Sequence, residues 1–321
     1  MPWFTFQLND FAYSFLSVLF EGIPFLLLGS LISGLVDVFV SAERMQRLLP
    51  KNQAAAIGIS GLLGLIFPMC ECGSVIVIRR FIRKGLPLSS AVTYMLAAPI
   101  VSPLVALSTY AAFKGQSPLM MTSLRLSIGY LLAVGVGFIV HRLPVGAILR
   151  AGLDAASSPR RRAGLSISSA PAAEAQDFSS LVAASSTPKK LLLAVQSATA
   201  DFLDVTFFFV IGTAAASVFN TALNQQVIES LATNPPVAIA SLMGLAAILA
   251  VCSTTDAFIA ANFKAFGFAA KLGFLLFGPV FDLKLFWLYS LLFKRRFVLA
   301  LALGLFLVIW LICWRVAGLQ F

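Results

Sequence analysis

Charge is scarce in this sequence. Only 11% of its 321 residues are Asp, Glu, Lys or Arg, against about 25% in a soluble domain. With 60% of the residues hydrophobic, an ordinary soluble globule is excluded and a polytopic membrane protein is indicated. Histidine is nearly absent: His141 is the sole one, beside Arg142 at a span end, which leaves no histidine-based metal site. Four Cys are too few for a secreted disulfide framework. There is no phosphate-binding loop, zinc-protease helix or nucleophile elbow. Self-powered nucleotide-driven transport and hydrolytic chemistry therefore have no motif to rest on. The expectation is a non-enzyme with no metal and no cofactor. The first twenty residues carry Asp10 and no Lys or Arg, so the basic region of a cleavable signal peptide is missing.

The charge that is present is mostly positive, with a formal net of +10. It sits in short clusters between apolar runs: Arg44, Arg47 and Lys51, then Arg79-Arg80 and Arg83-Lys84, then Lys294-Arg295-Arg296. Clusters so placed read as the cytoplasmic side of a multi-pass inner-membrane protein rather than as a nucleic-acid surface. Residues 11–40 form a first span, with Gly22, Gly29 and Gly34 spaced for close helix packing. Residues 54–78 are apolar but interrupted at 68–73. Residues 85–113 are too long for one straight crossing, about 43 Å as helix against ~30 Å of hydrocarbon, and Pro99 and Pro103 give a reason to break them. Residues 119–140 form another span. Residues 142–190, rich in Ser, Ala and Pro, read as a flexible basic linker. Spans follow near 193–222, 236–260, 266–292 and 297–314. The loop before Pro236 carries Glu229 and no Lys or Arg.

The halves 1–141 and 191–321 resemble each other. A shift of 180 puts Leu62, Gly64, Leu65, Cys72, Lys84, Leu96 and Pro99 on identical residues, among them Cys252 and Pro279. A shift of 183 puts Glu21 on Asp204 and Gly29 on Gly212. If residues 54–78 dip into the membrane and return, the basic loops share one side, and each half has three crossings plus one re-entrant hairpin. Three is odd, so the second half enters upside down. The expected fold is an all-α polytopic membrane protein of two inverted-topology repeats; a plain bundle of eight to ten spans is the alternative.

The interruptions carry the chemistry. Freed backbone groups and polar side chains are costly in hydrocarbon and mark ligand paths. The first break reads Pro68-Met69-Cys70-Glu71-Cys72-Gly73. In an unwound turn its two sulfurs can address one soft solute, Gly73 lets backbone approach closely, and a helix restarting after it points its N–H groups at the site. The matching run is Cys252-Ser253-Thr254-Thr255-Asp256. Buried carboxyls such as Glu71 and Asp256 can load and release a proton, or they pair with Lys264, Lys271 or Lys284. Pro99 marks the other break of the first half, and Asp282, soon after Pro279, lines its counterpart. Glu21, Asp201 and Asp204 read as helix caps, and Arg125 as a snorkelling interfacial residue.

These motifs resemble the ArsP/YraQ-type predicted permease family. The resemblance rests on Gly61-Leu62-Leu63-Gly64 with Phe67 through Gly73, on Arg79-Arg80 with Arg83-Lys84-Gly85-Leu86-Pro87, on Ala97 through Pro103, and on Val251 through Phe258. It implies a permease, and for some members export of trivalent organoarsenicals, which bind thiols. Cys70, Cys72 and Cys252 would then face the substrate. Where the family often has a proline four residues beyond the second Cys, this chain has Ile76. The expected function is a secondary transporter for a small thiol-reactive or anionic solute; a membrane thiol redox relay and a passive channel are the alternatives. Its partners are then the lipid bilayer and a small molecule or ion, with homodimer formation left open.

Overall fold

The computed structural model describes residues 8–39, 50, 52–66, 69–83, 85–150, 187–222 and 234–318. Arg44, Arg47, Lys51, Pro68, Lys84, linker residues 151–186 and Glu229 lie outside them. Among the described residues the structure is helical, and the protein is an all-α polytopic membrane protein. The first half runs α1 (Leu8–Phe39), α2 (Gln53–Ile66), α3 (Glu71–Arg83), α4 (Leu88–Ala97), α5 (Pro103–Ala112) and α6 (Pro118–Arg142). A short α7 (Val145–Ile148) follows. The second half runs α8 (Thr187–Ala222), α9 (Pro235–Leu249), α10 (Asp256–Asn262), α11 (Phe268–Phe277), α12 (Leu283–Leu292) and α13 (Arg295–Gly318).

The same order occurs twice: one long helix, two pairs of short ones, one long helix. The register is that of the sequence repeat, since α11 starts 180 residues after α4 (268 against 88) and α12 starts 180 after α5 (283 against 103). The long helices α1, α6, α8 and α13 contain the segments apolar and long enough to cross a membrane. Helices of seven to fifteen residues are only ~10–23 Å long, short of the ~30 Å hydrocarbon thickness, so the expected spans at 236–260 and 266–292 are each two shorter helices meeting at a break, as 85–113 is at the break expected there. Pro103 opens α5 and Pro235 opens α9, where a missing N–H removes no helical bond. Asp282 caps α12 by accepting from the Leu285 N–H at 2.7 Å, as helix N-caps do.

Contacts along α6 set the depth of the first half. Gly137 lies against Thr93 and Ile57, Gly129 against Ile100, and Arg125 against Thr109. Helices α4 and α5 therefore run antiparallel to α6, past the break at 98–102. Helix α2 starts at the same level, near Gly137, and ends with Gly64 against Ala98 and Val101 of that break. Helix α3 then runs from Gly73, which touches Gly29 of α1, to Phe81, whose ring meets Tyr94 of α4 at 6.3 Å. Ile76 is buried within α3, which is unbroken from Glu71 to Arg83.

Helices α1 and α8 pack antiparallel, Gly22 against Phe209 and Gly34 against Ala194 and Ala198. All three expected small residues of α1 are thus at helix contacts. Two of the sequence expectations for this region are corrected. Asp201 and Asp204 cap nothing: they lie well inside α8, where Asp201 takes Arg80 at 2.8 Å and Ser33 at 2.9 Å, and Asp204 takes Arg79 at 3.1 Å. A helix running back to Thr187 leaves no terminus there. The side chain of Glu21 lies outside the described residues. The linker is structured at both margins, with 187–190 helical and Arg150 N–H donating to Leu292 O at 3.0 Å.

One substitution tests the close packing that seats α3. A Cβ on Gly29 would lie 2.9 Å from the Gly73 Cα, and overpacking of this kind costs about 1–3 kcal/mol. Gly29→Val is expected to lower the thermal midpoint of the purified protein in detergent. Gly135→Val, with open space around it, is expected to leave the midpoint unchanged.

Candidate functional site

Two of the breaks meet face to face. The turn before α3 and the turn between α9 and α10 bring Cys70, Glu71 and Cys72 to Cys252, with Lys284 of α12 beside them; Val18, Gly22 and Phe209 complete the wall. The cavity between them is about 10 Å³, the room of a single water. All four Cys are free thiols. Local geometry follows from the breaks. The Gly73 N–H donates to Cys70 Sγ at 3.3 Å, an N–H that α3 leaves unused in its first turn. The Thr254 hydroxyl donates to Cys252 Sγ at 3.7 Å. Among the described residues, no three His, Cys, Asp or Glu side chains are placed to hold a metal ion.

Glu71 is the first residue of α3 and is 1% exposed. Its Oε1 accepts from Lys284 Nζ at 3.0 Å, and the same Nζ donates to Ala250 O at 2.8 Å. Ala250 ends α9 in a left-handed conformation, φ 50°, which turns its carbonyl out of the helix ladder. Asp282 Oδ2 stands 3.4 Å from the same Nζ. A Cβ on Gly212 of α8 would lie 2.6 Å from the Lys284 Cα, so the small residue lets α8 and α12 approach where Lys284 enters the core.

A second buried pair lies on the other side of the same turn. Asp256, the first residue of α10, accepts from Arg125 at 2.7 Å. Arg125 also donates to Ser253 O at 2.9 Å and to the Thr109 hydroxyl at 2.8 Å. The expectation of a snorkelling Arg125 is corrected: it is 0% exposed, because a carboxylate, a hydroxyl and a freed carbonyl are all within its reach.

Of the residues singled out from sequence, Cys70, Glu71, Cys72 and Cys252 line one cavity, with Gly73 at its edge and Asp282 reaching it through Lys284. Ser253 contributes its carbonyl and Asp256 its carboxylate to Arg125. Thr255 is exposed. Pro99 sits in the buried turn between α4 and α5, against α2, and is not among the lining residues. Lys284 and Arg125 carry the two pairs. In the sequence Lys284 is only one of three lysines open to a carboxylate, and Arg125, a base two turns inside an apolar span, is a signal compatible with either the interface or a buried acid.

Comparison with known proteins agrees with this architecture. Residues 7–318 match the family model ArsP_1, described as a predicted permease. UPF0718 protein YcgR of Bacillus subtilis (strain 168) is 31% identical over 296 residues, covering 92% of each chain. A Streptococcus mutans serotype c protein named "Putative two-component membrane permease complex subunit" is 30% identical over 307 residues, 95% of this chain and 94% of that one. No solved structure matches. A match spanning nearly every described helix, over a bundle of crossing and broken helices, makes this chain a member of the ArsP_1 predicted permease family and a membrane transporter.

Proposed function

We propose that this permease is a secondary transporter of the inner (cytoplasmic) membrane, built as two inverted repeats, and that it carries a small thiol-reactive solute through the cavity between the two cysteine-bearing breaks. The observation that carries the reading is the meeting of Cys70 and Cys72 from the first half with Cys252 from the second around one buried space. Two acids already occupy the helix starts there, Glu71 and Asp282, so an anionic solute is disfavoured relative to a neutral one that bonds sulfur. A trivalent organoarsenical fits: each thiol gives its proton to a departing hydroxide, water leaves, and an As–S bond forms without change of oxidation state. A cavity with room for one water passes a solute only when helices move, which is carrier rather than channel behaviour.

The inverted arrangement is supported by where the hairpins begin. Helices α2 and α3 start and end near the end of the bundle that holds Gly137 and Arg142. Helices α9 and α10 belong to the opposite end, where Ala238 shares a wall with Ser117 and Phe268 and Ala261 O accepts from Gln116. Arg79, Arg80, Arg142, Arg150 and the Lys294–Arg296 run all lie toward the first end, which the positive-inside rule places in the cytoplasm. Both halves of the site come from one chain, so the reading requires the bilayer and a solute but no second copy.

In proteoliposomes, Cys70→Ser with Cys72→Ser is expected to cut uptake of a trivalent methylarsenical at least tenfold while leaving yield and monodispersity intact, and Cys252→Ser is expected to do the same. Uptake unchanged in all of them would remove the thiol site. For the topology, a membrane-impermeant maleimide applied to intact cells is expected to label Lys264→Cys and to spare Arg83→Cys until the membrane is opened. Labelling of both positions from the same side would refute the inverted repeat, and the reverse pattern would refute the assigned orientation.

A further inference from the structure

The three carboxylates buried at the breaks are not neutralised alike. Asp256 faces Arg125, one charge against one. Glu71 and Asp282 face a single cation, Lys284. Two negative charges against one positive leave one negative charge uncompensated at hydrocarbon depth. Glu71 Oε2 and Asp282 Oδ2 both lack a hydrogen bond, the latter at 3.4 Å from the Lys284 ammonium, and Asp256 Oδ1 lacks one too; what sets the Glu71–Asp282 cluster apart is the ratio of charges. The other titratable groups facing the cluster do not repair this. Cys70, Cys72 and Cys252 bring no cation to the cluster, and the Tyr289 hydroxyl donates to Val280 O at 3.0 Å. Among the described residues, helices α1 and α8 line the cavity with Val18, Gly22 and Phe209, none of which titrates.

An unpaired buried charge is among the costliest features a membrane protein can hold, and unpaired polar atoms add to it. A proton removes both defects: it cancels the charge and makes one orphan oxygen a donor. A metal cation does not fit, because the Lys284 ammonium already occupies the centre of the cluster and the cavity has room for one water. We propose that Glu71 and Asp282, arranged around Lys284, bind one proton per chain and form the proton-coupling site of transport; Asp256, held by Arg125, is the structural member of the set. Loss of the proton leaves a net negative cluster that only water or movement can relieve, so deprotonation favours an opened, hydrated pocket. The coupling role rests on the reading of this cavity as the transport site, whereas proton binding does not.

Proton binding is tested without solute, on the full chain in lipid nanodiscs. Infrared difference spectra between acid and alkaline buffer report protonated carboxyls. Wild type is expected to show a carboxyl band that Glu71→Gln and Asp282→Asn each remove, because either change leaves one carboxylate facing one ammonium. The band is expected to survive in Asp256→Asn. Persistence of the band in both Glu71→Gln and Asp282→Asn, or its loss only in Asp256→Asn, overturns the assignment. Size-exclusion elution identifies which variants are folded; should one amide variant fail, the other decides alone. Coupling is then read in proteoliposomes holding a pH-sensitive dye, under a gradient of trivalent methylarsenical. Proton movement is expected to fall at least tenfold in Asp282→Asn, and unchanged movement overturns the coupling role. A wild-type carboxyl band alongside undiminished uptake by the Cys70→Ser/Cys72→Ser protein would sink the thiol site and leave the proton site standing.

Discussion

Charge buried in hydrocarbon has to be neutralised by a partner that the same helix cannot supply, and the rest of this structure follows from that constraint. Glu71 opens the second arm of one hairpin and is met by Lys284 from the other half. Asp256 opens the second arm of the other hairpin and is met by Arg125 from the first half. Each pair is a bond between halves, buried beyond the reach of solvent screening. Breaking a buried pair by removing one member typically costs about 3–5 kcal/mol, because the remaining charge is stranded. The two halves are therefore tied at their centre by electrostatics, with α1 against α8 supplying the apolar seam.

Each cation does a second thing. A helix broken within the membrane leaves carbonyls that neither water nor the helix can satisfy. Lys284 takes the carbonyl of Ala250, and Arg125 takes that of Ser253. These two carbonyls bracket Cys252. The turn that presents this thiol is thus pinned from both sides by bases from different halves. The first break is handled more locally: the Gly73 N–H turns to Cys70 Sγ and the Ser74 hydroxyl to Glu71 O. Helix N-termini favour negative charge, so acids at the starts of α3, α10 and α12 are stabilised where they stand before any cation approaches.

Much of this was legible in the chain. Pro99 and Pro279, with Cys72 and Cys252 in the same register, marked the breaks, and the structure places α4 and α11, α5 and α12 in that register to the residue. Periodicity and breaker residues are local signals, and half-helices are local structures. The pairing of charges is not local. Glu71 and Lys284 are 213 positions apart and Arg125 and Asp256 are 131 apart, and a single chain carries no trace of which base finds which acid. Arg125 was misread for that reason. A base two turns inside a span can reach the interface or a buried acid, and only the position of α10 decides between them. Asp201 and Asp204 were misread because the start of α8 was set too late, which turned mid-helix acids into caps.

The repeat also explains why its two ion pairs differ. By the 180-residue shift, Asp282 corresponds to Ser102 and Lys284 to Leu104. Both residues sit at a half-helix start, where the first half has a neutral serine and an exposed leucine facing outward and the second half has an acid and a base. That acid and base put an extra charged couple next to Glu71 and nothing comparable next to Asp256. Two breaks in the same register thereby hold one acid–base pair and one cluster of two acids and one base beside three thiols. The shared register supplies two similar hairpins, and the departure from it supplies the extra charged groups beside Cys70, Cys72 and Cys252.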